Sequence, residues 1–427
     1  MSGPMVEESR SYALARHPEI TANIARRRRK GQIWHAAFYA ATAIAIVALV
    51  ILLISIFNRA FGLTYVVNER EPEAVYTEGN LEEASPAELI ALLEEYVSTG
   101  IVRRFNFEEP LVERSQADLY DLVLERVINP TILEAWTLGE TVFQRGKIEE
   151  KAAEIRASEE VDGHGELQFR SWITPEFLVT PQNPVPEDAG IRTAFLGSLW
   201  MIVIVILFAF PVGVAAAIYL EEYAKDNWFN RFIKVNVYNL SGVPSIIYGL
   251  LGLVFFVRAL EPFTSGAMFG TDAGNGRTII SAGLTLSLLI LPIIIIASQE
   301  AIRAVSNSIR ESSYGIGATK WQTIWHHILP QSFDRILTGT ILAISRAVGE
   351  TAPLVVVGAS TFISVDPSGF FAKFTTLPIQ IYQWSARPQG EFRNVAAGAI
   401  IVLLILTVAM NASAIIMRNR IAKKRSE

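Results

Sequence analysis

The chain has no cysteine among its 427 residues. That excludes a disulfide-stapled domain and any thiolate metal centre, and leaves the compartment open. Histidine is nearly as scarce, and His17, His35, His164, His326 and His327 stand at no spacing that gathers them on a metal. No G-x-x-x-x-G-K-[ST] run occurs, so nothing in the sequence cradles nucleotide phosphates. Nor can a nucleophile, a base and an orienting acid be assembled. These absences leave no catalytic residues, no resident metal and no bound cofactor to assign, and they point away from an enzyme. Charge is thin as well, at 19% of residues.

What the chain has instead is apolar mass: 51% hydrophobic residues and a mean hydropathy of +0.33. The apolar residues gather into six blocks, Ile33 to Phe57, Thr193 to Leu220, Val235 to Val257, Thr278 to Ser298, Ile336 to Ile363 and Val395 to Met417. Each is long enough to cross a hydrocarbon core of about 30 Å as a helix. The sequence therefore predicts an all-α, polytopic membrane protein with six transmembrane helices. The first block follows a polar segment at 1–32 and has no small-residue cleavage site after it, so it is expected to stay as a membrane anchor. Arg26, Arg27, Arg28, Arg29 and Lys30 directly precede it, which holds the N-terminus in the cytoplasm. A span begins within three residues of that basic run, so it is not read as a nucleic-acid site. An even number of spans returns the C-terminus inside, where Arg418, Arg420, Lys423, Lys424 and Arg425 lie in or beside a short tail at 419–427.

Between spans one and two, residues 58–192 form a polar, extracytoplasmic stretch with 27 acidic and 12 basic side chains. Ser85, Pro86 and Glu88 stand as N-cap, N1 and N3 ahead of Leu89, Ile90, Leu92 and Leu93. Ser115 and Asp118 repeat the pattern before Leu119, and Asn129-Pro130 ends that second helix. A small, largely helical, acidic periplasmic domain is expected there. A polytopic core with spans two to six follows at 193–418.

The cytoplasmic loop at 299–335 carries the most specific pattern. Glu311 is followed by Ser312 and Ser313, Gly317 stands six places after the glutamate, and Leu329-Pro330 stand twelve and thirteen places after the glycine. The glycine suits a positive φ between two helices, and the proline suits the end of the second. That second helix offers Trp321, Ile324, Trp325 and Ile328 at i, i+3, i+4 and i+7, anchors that fit a partner's cleft. An amphipathic helix lying in the membrane interface is the alternative. The spacing of glutamate, glycine and Leu-Pro resembles the EAA loop of ABC import permeases, with serines in place of paired alanines and His327 in place of an isoleucine.

Span five places Arg346 about ten residues in from the cytoplasmic end, hence roughly 15 Å deep, with Glu350 one turn further on the same face. Charges at that depth cost about 3 kcal/mol or more and mark a substrate path, unless the two only neutralise each other within the bundle. A guanidinium fork matches phosphate oxygens. In span three, Gly242, Pro244, Gly249 and Gly252 permit close approach and a local break. Asn239, Ser241 and Ser245 are candidates for the pore lining. The segments NLSGVPSIIYGLLGL and SRAVGETAPLVVVG, with FLVTPQNPVPEDAGIRTAFLGSL before span two, resemble the phosphate permeases of the PstA family over roughly residues 175–420. The acidic region lies outside that resemblance.

The resemblance implies a subunit of an ATP-driven importer of inorganic phosphate in the bacterial cytoplasmic membrane. It also implies the partners: a second permease subunit, an ATPase dimer docked on Glu311, Gly317, Trp321, Ile324, Trp325, Leu329 and Pro330, and a periplasmic phosphate-binding protein. ATP would be used by the partner subunit. Three other readings are weighed: a permease for sulfate or molybdate, a membrane sensor using the outer domain, and a secondary transporter. The last two have no need of an ATPase-docking loop.

Overall fold

The computed structural model describes residues 18–77, 79–157, 165–270, 275–359 and 362–426. The expected N-terminal segment therefore lies partly outside the described residues, as do His17 and His164. The chain divides at residue 57 into two units. The first is the greater part of one helix, α1 (Pro18–Ala60). Its apolar stretch is unburied within the structure, as befits a helix hydrophobic all round whose solvent is lipid.

The second unit begins with the outer domain, and here the all-helical expectation is corrected. Immediately after α1 the chain forms β1 (Phe61–Asn68), which is joined by β2 (Pro130–Ala135) and β3 (Glu166–Ser171) in an antiparallel sheet of order β2-β1-β3. Thr64 pairs with Ala135 on one side and Gln168 on the other, and a bulge falls at Tyr65/Val66. The strand residues FGLTYVVN are rich in β-branched and aromatic side chains that fit a half-buried pleat. The domain also holds α2 (Pro86–Tyr96), α3 (Thr99–Glu108) and α4 (Gln116–Val123), which cluster together, and α5 (Leu138–Phe143) and α6 (Arg145–Arg156), which pack on the sheet. The capping boxes expected at Ser85/Glu88 and Ser115/Asp118 are both formed. Asn129 takes φ +48 where the second helix ends. Leu89, Leu93, Leu111, Leu119 and Val123 are buried together, so the domain has a core of its own.

The base of the outer domain is continuous with the membrane core. Ile132, Trp172 and Phe177 pack with Leu377, Trp384 and Phe392. The segment before the second span is tied down there as well. Gln182 accepts from the Ile363 amide at 3.2 Å, and Arg192 pairs with Asp366 at 2.8 Å.

The core consists of α7 (Arg192–Ile218), α8 (Trp228–Ser241), α9 (Ser245–Gly252), α10 (Ile279–Arg303), α11 (Asn307–Gly315), α12 (Lys320–Thr323), α13 (Leu329–Val348), α14 (Ala352–Val357), α15 (Leu377–Ser385) and α16 (Glu391–Ser426). Its centre is α10 against α7 and α13, where Ile279, Ala282, Ile290, Val205 and Ala343 are buried. The sequence reading expects six spans. Among the described residues four helices are long and apolar enough to cross a membrane, or five if a bent pair counts as one. That pair is the expected third span: α8 and the helix from Ser245 to Ala259 meet at 108°. Gly242 ends α8, and Pro244 lacks the N–H that would carry the helix on. The expected fifth span is also broken. α13 stops at Val348, and α14 restarts with Pro353 in its first turn.

Candidate functional site

Two places hold the residues singled out by sequence. The first is the loop after α10. α11 is followed by Gly317 at φ +86, the left-handed conformation expected of it. Thr319 then caps α12 in a reciprocal capping box with Gln322, and Ser313 is hydrogen-bonded to Thr323 at 2.8 Å, stapling α11 to α12.

Two expectations fail here. Leu329-Pro330 do not stop a helix: the chain passes from α12 through a wide π-helical turn (Ile324–Ile328) straight into α13, with Pro330 just after that turn. Nor do Trp321, Ile324, Trp325 and Ile328 form one face. Ile324 and Ile328 are fully buried with Ala301, Ile302 and Ile336, because the wide turn changes the helical phase. Trp321 and Trp325 stay 58% and 56% exposed and stack on each other at 5.5 Å between ring centroids. Glu311 and His327 are also exposed.

What fixes this loop was missed in the sequence. Arg310 donates to Glu222 at 2.8 Å, and the side chains are only 16% and 6% exposed. The same guanidinium donates to the carbonyls of Val305 and Ile302, closing the end of α10. Arg303 pairs with Glu221 at 2.6 Å, and Gln299 also donates to Glu221. Two adjacent carboxylates at the end of α7 thus hold two arginines of the loop. The available signal was the acidic pair Glu221-Glu222 closing an apolar run, at an end where positive residues are the rule.

The second place is the break after α13. Arg346 lies in the last turn of α13, where a cation also suits the helix C-terminus. Its Nε stands 3.3 Å from Glu350 Oε1, and the side chains are 53% and 18% exposed. The pair expected from sequence is formed, and its arginine end is open. Beside it, Ser345 donates to Asn411 of α16 at 2.5 Å. Behind the same turn lies a cavity of about 20 Å³ lined by Ser198, Met201, Ile344, Ala347 and Thr376, room for about one water.

α9 packs closely on both α14 and α10. A β-carbon on Gly249 would stand 2.7 Å from Pro353 Cα, and one on Gly252 would stand 2.1 Å from Thr285 Oγ1. These glycines therefore serve packing, whereas Gly242 and Pro244 serve the bend. Asn239 is exposed near the end of α8. Ser241 and Ser245 flank the bend half-buried, with the Ser241 hydroxyl donating to the Tyr238 carbonyl. The structure does not bring these three into contact with Arg346. Among the described residues no group of three or more His, Asp or Glu side chains could hold a metal ion.

A multi-pass helical membrane protein with a rigidly tied loop between α10 and α13 and a charged break within an apolar segment is the class that this geometry defines. Residues 209–427 match the family of binding-protein-dependent transport system inner membrane components, and the chain belongs to that family. It is 29% identical over 278 residues to the "Probable ABC transporter permease protein YqgI" of Bacillus subtilis (strain 168), covering 62% of this chain and 87% of that one. It is 32% identical over 237 residues to the phosphate transport system permease protein PstA 1 of Mycobacterium tuberculosis (strain CDC 1551 / Oshkosh), covering 55% and 73%. Among solved structures, it aligns with a bacterial ABC transporter involved in the import of the acidic polysaccharide alginate at a TM-score of 0.43 and 16% identity, covering 75% of this chain and 98% of that one. The protein is thus a permease subunit of an ABC importer, multi-pass in the inner membrane, acting with ATPase subunits and a binding protein. It is not catalytic and binds no cofactor.

Proposed function

We propose that this permease carries inorganic phosphate into the cell, with Arg346 and Glu350 on the path of the ion. The observation that carries the reading is the pair itself. An arginine stands 53% exposed at a break in an otherwise apolar segment, held by a single carboxylate contact of 3.3 Å. A cation with free donors offers a tetrahedral oxyanion two oxygens' worth of fork, and the neighbouring carboxylate either accepts from a protonated ion or competes for the arginine. Both keep binding weak enough for release. The motifs shared with the phosphate permeases, and the relative whose name states phosphate transport, favour phosphate over sulfate or molybdate.

In this reading the broken segments α8–α9 and α13–α14 each cross the membrane once, giving six crossings with both termini cytoplasmic. A second permease subunit covers the open side of Arg346. The ATPase dimer docks on the loop at 299–335 through Trp321 and Trp325, with Glu311 at its rim and Gly317 as its joint. Ile324, Leu329 and Pro330 support that docking face from within. Asn239, Ser241 and Ser245 line the bend on the path. A periplasmic phosphate-binding protein delivers the ion.

The test is uptake of labelled phosphate, normalised to assembled complex in the membrane. Arg346→Gln is expected to abolish uptake with insertion intact, because an anion then meets an apolar midplane without a counter-charge, a penalty of several kcal/mol. Arg346→Lys is expected to restore little, since the charge remains and the planar fork does not. Wild-type uptake by Arg346→Gln would leave the pair as a structural tie only.

A further inference from the structure

The outer domain follows span one with no spacer. The apolar stretch of α1 gives way to Asn58 and Arg59, the helix stops at Ala60, and β1 begins at the next residue. The segment that leads into α5 is folded onto these same residues. The Gly139 amide donates to the Asn58 side-chain oxygen, and the Leu63 amide donates to Thr141 Oγ1 at 3.1 Å. Between them, the Trp136 amide donates to the Leu63 carbonyl at 2.8 Å, and a β-carbon on Gly62 would stand 1.8 Å from the Trp136 carbonyl oxygen. α5 is thereby held at the level where the chain leaves the apolar stretch.

The first four residues of α5, Leu138 to Thr141, are half-buried by these contacts, whereas the last two, Val142 and Phe143, are exposed, Phe143 at 86%. Phe169, the register partner of Leu63 on β3, is exposed as well. Single apolar side chains on a surface are ordinary, and it is the place of these that sets them apart. An interfacial layer of about 5–8 Å lies outside the hydrocarbon on each face of a bilayer. Phe143 is four residues from Gly139, or about 6 Å of helix. Beyond it the chain turns basic: Arg145 and Lys147 are exposed at the start of α6, with Arg145 paired to Glu149, in a domain that is otherwise acidic. Arg59 is exposed in the last turn of α1. Long basic side chains lay their stems along apolar surface and carry their charge to the headgroup phosphates.

We propose that α5 is an interfacial foot, with Val142 and Phe143 seated in the outer leaflet of the membrane and phospholipid as the occupant of this apolar face. Phospholipid is favoured over a protein partner because the face is tied to the end of a span, where acyl chains and phosphates meet, and because cations flank the apolar pair. The foot gives the outer domain a second hold on the membrane beside span one. Phe107 serves as the contrast. It is more exposed still, but it belongs to α3, which packs with α2 and α4 through Val102 and Phe105.

The chain has no cysteine, so Phe143→Cys gives it a single thiol. The full chain is labelled there with a nitroxide, assembled with its importer partners, and reconstituted in vesicles of phosphatidylethanolamine and phosphatidylglycerol. Electron paramagnetic resonance then compares collisions of the label with oxygen, which concentrates in lipid, and with a nickel chelate, which stays in water. The ratio of oxygen to nickel collisions is expected to be severalfold higher at Phe143→Cys than at Phe107→Cys. Val142→Cys, an exposed change one residue away, is read in the same way and is expected to agree. Equal ratios at 143 and 107 would put α5 in water and overturn the proposal. Labels at 142 and 143 that meet neither reagent would be covered by protein, and that result would overturn it too.

Discussion

The outer domain and the cytoplasmic loop handle charge in opposite ways. In the outer domain, carboxylates cap their own helices: Ser85, Ser115 and Thr137 pair reciprocally with Glu88, Asp118 and Glu140, and the ion pairs Arg145–Glu149 and Lys151–Glu134 lie at the surface. In the loop after α10, charge acts across elements. Arg310 reaches Glu222 over 88 residues of chain and is nearly buried with it. Local caps add about 1 kcal/mol each to their own helix. A buried pair between elements fixes one element relative to another and is costly to break. The loop is therefore held to the core across elements, whereas each cap of the outer domain holds only its own helix.

The sharpest way to break that contrast is Arg310→Ala. It leaves the Glu222 carboxylate buried without its partner, and a loss of about 3–5 kcal/mol is expected. Arg303→Ala removes an arginine that is 61% exposed, for which about 1 kcal/mol or less is expected. Thermal inactivation of the purified complex, followed by size-exclusion chromatography, measures both; equal losses would contradict the contrast.

Next comes the division of the helix after Thr319. Ile324→Ala is expected to destabilise by about 2–5 kcal/mol, since the side chain is fully buried. Replacing both Trp321 and Trp325 with alanine is expected to leave the melting temperature nearly unchanged and to abolish stimulation of ATP hydrolysis by the loaded binding protein. Stable binding of the ATPase by the double tryptophan variant would move the docking face elsewhere.

Gly317→Val is a smaller change. A β-branched residue at φ +86 costs about 1–2 kcal/mol, so the protein reaches the membrane, but the angle between α11 and α12 is altered. Uptake is expected to fall while basal ATP hydrolysis persists, as measured in the same proteoliposomes.

The smallest effect belongs to the outer domain. Burial pushes the Glu187 and Glu125 carboxyls above the ordinary range, while Arg170 and Arg126 respectively pull them back. A carboxyl raised in the folded state binds more protons there than in the unfolded chain. Its contribution favours folding below the ordinary glutamate value and is lost as pH rises through the folded value. Hydrogen exchange of residues 61–171 in the intact protein is expected to be slightly slower at pH 5 than at pH 7 after correction for the intrinsic rate, and Glu187→Gln is expected to reduce the difference. Protection that rises with pH would reverse the sign.

Much of this was legible in the sequence, for reasons that are local. The caps at Ser85 and Ser115, the positive φ of Gly317 and the Arg346–Glu350 spacing depend on residues within one or two turns of each other. The three-stranded sheet was not seen, because β1 continues directly from an apolar span and pairs with strands whose residues lie about 65 and 105 positions further on, where no periodicity links them. The burial of Ile324 and Ile328 was missed because a wide turn shifts the phase that an ideal helix assigns. The anchors Glu221 and Glu222 were passed over as the end of a span. Their partners are distant in the chain, and only the fold pairs them.

The central claim, that this chain is a phosphate permease coupled through its 299–335 loop, is tested most directly by ATP hydrolysis. The assembled importer in proteoliposomes is supplied with its binding protein and, in turn, phosphate, sulfate or molybdate. The account predicts that phosphate stimulates hydrolysis and drives uptake of the labelled ion, that the other two oxyanions do neither, and that Arg346→Gln removes the uptake. Stimulation and uptake with sulfate or molybdate but not with phosphate would contradict it.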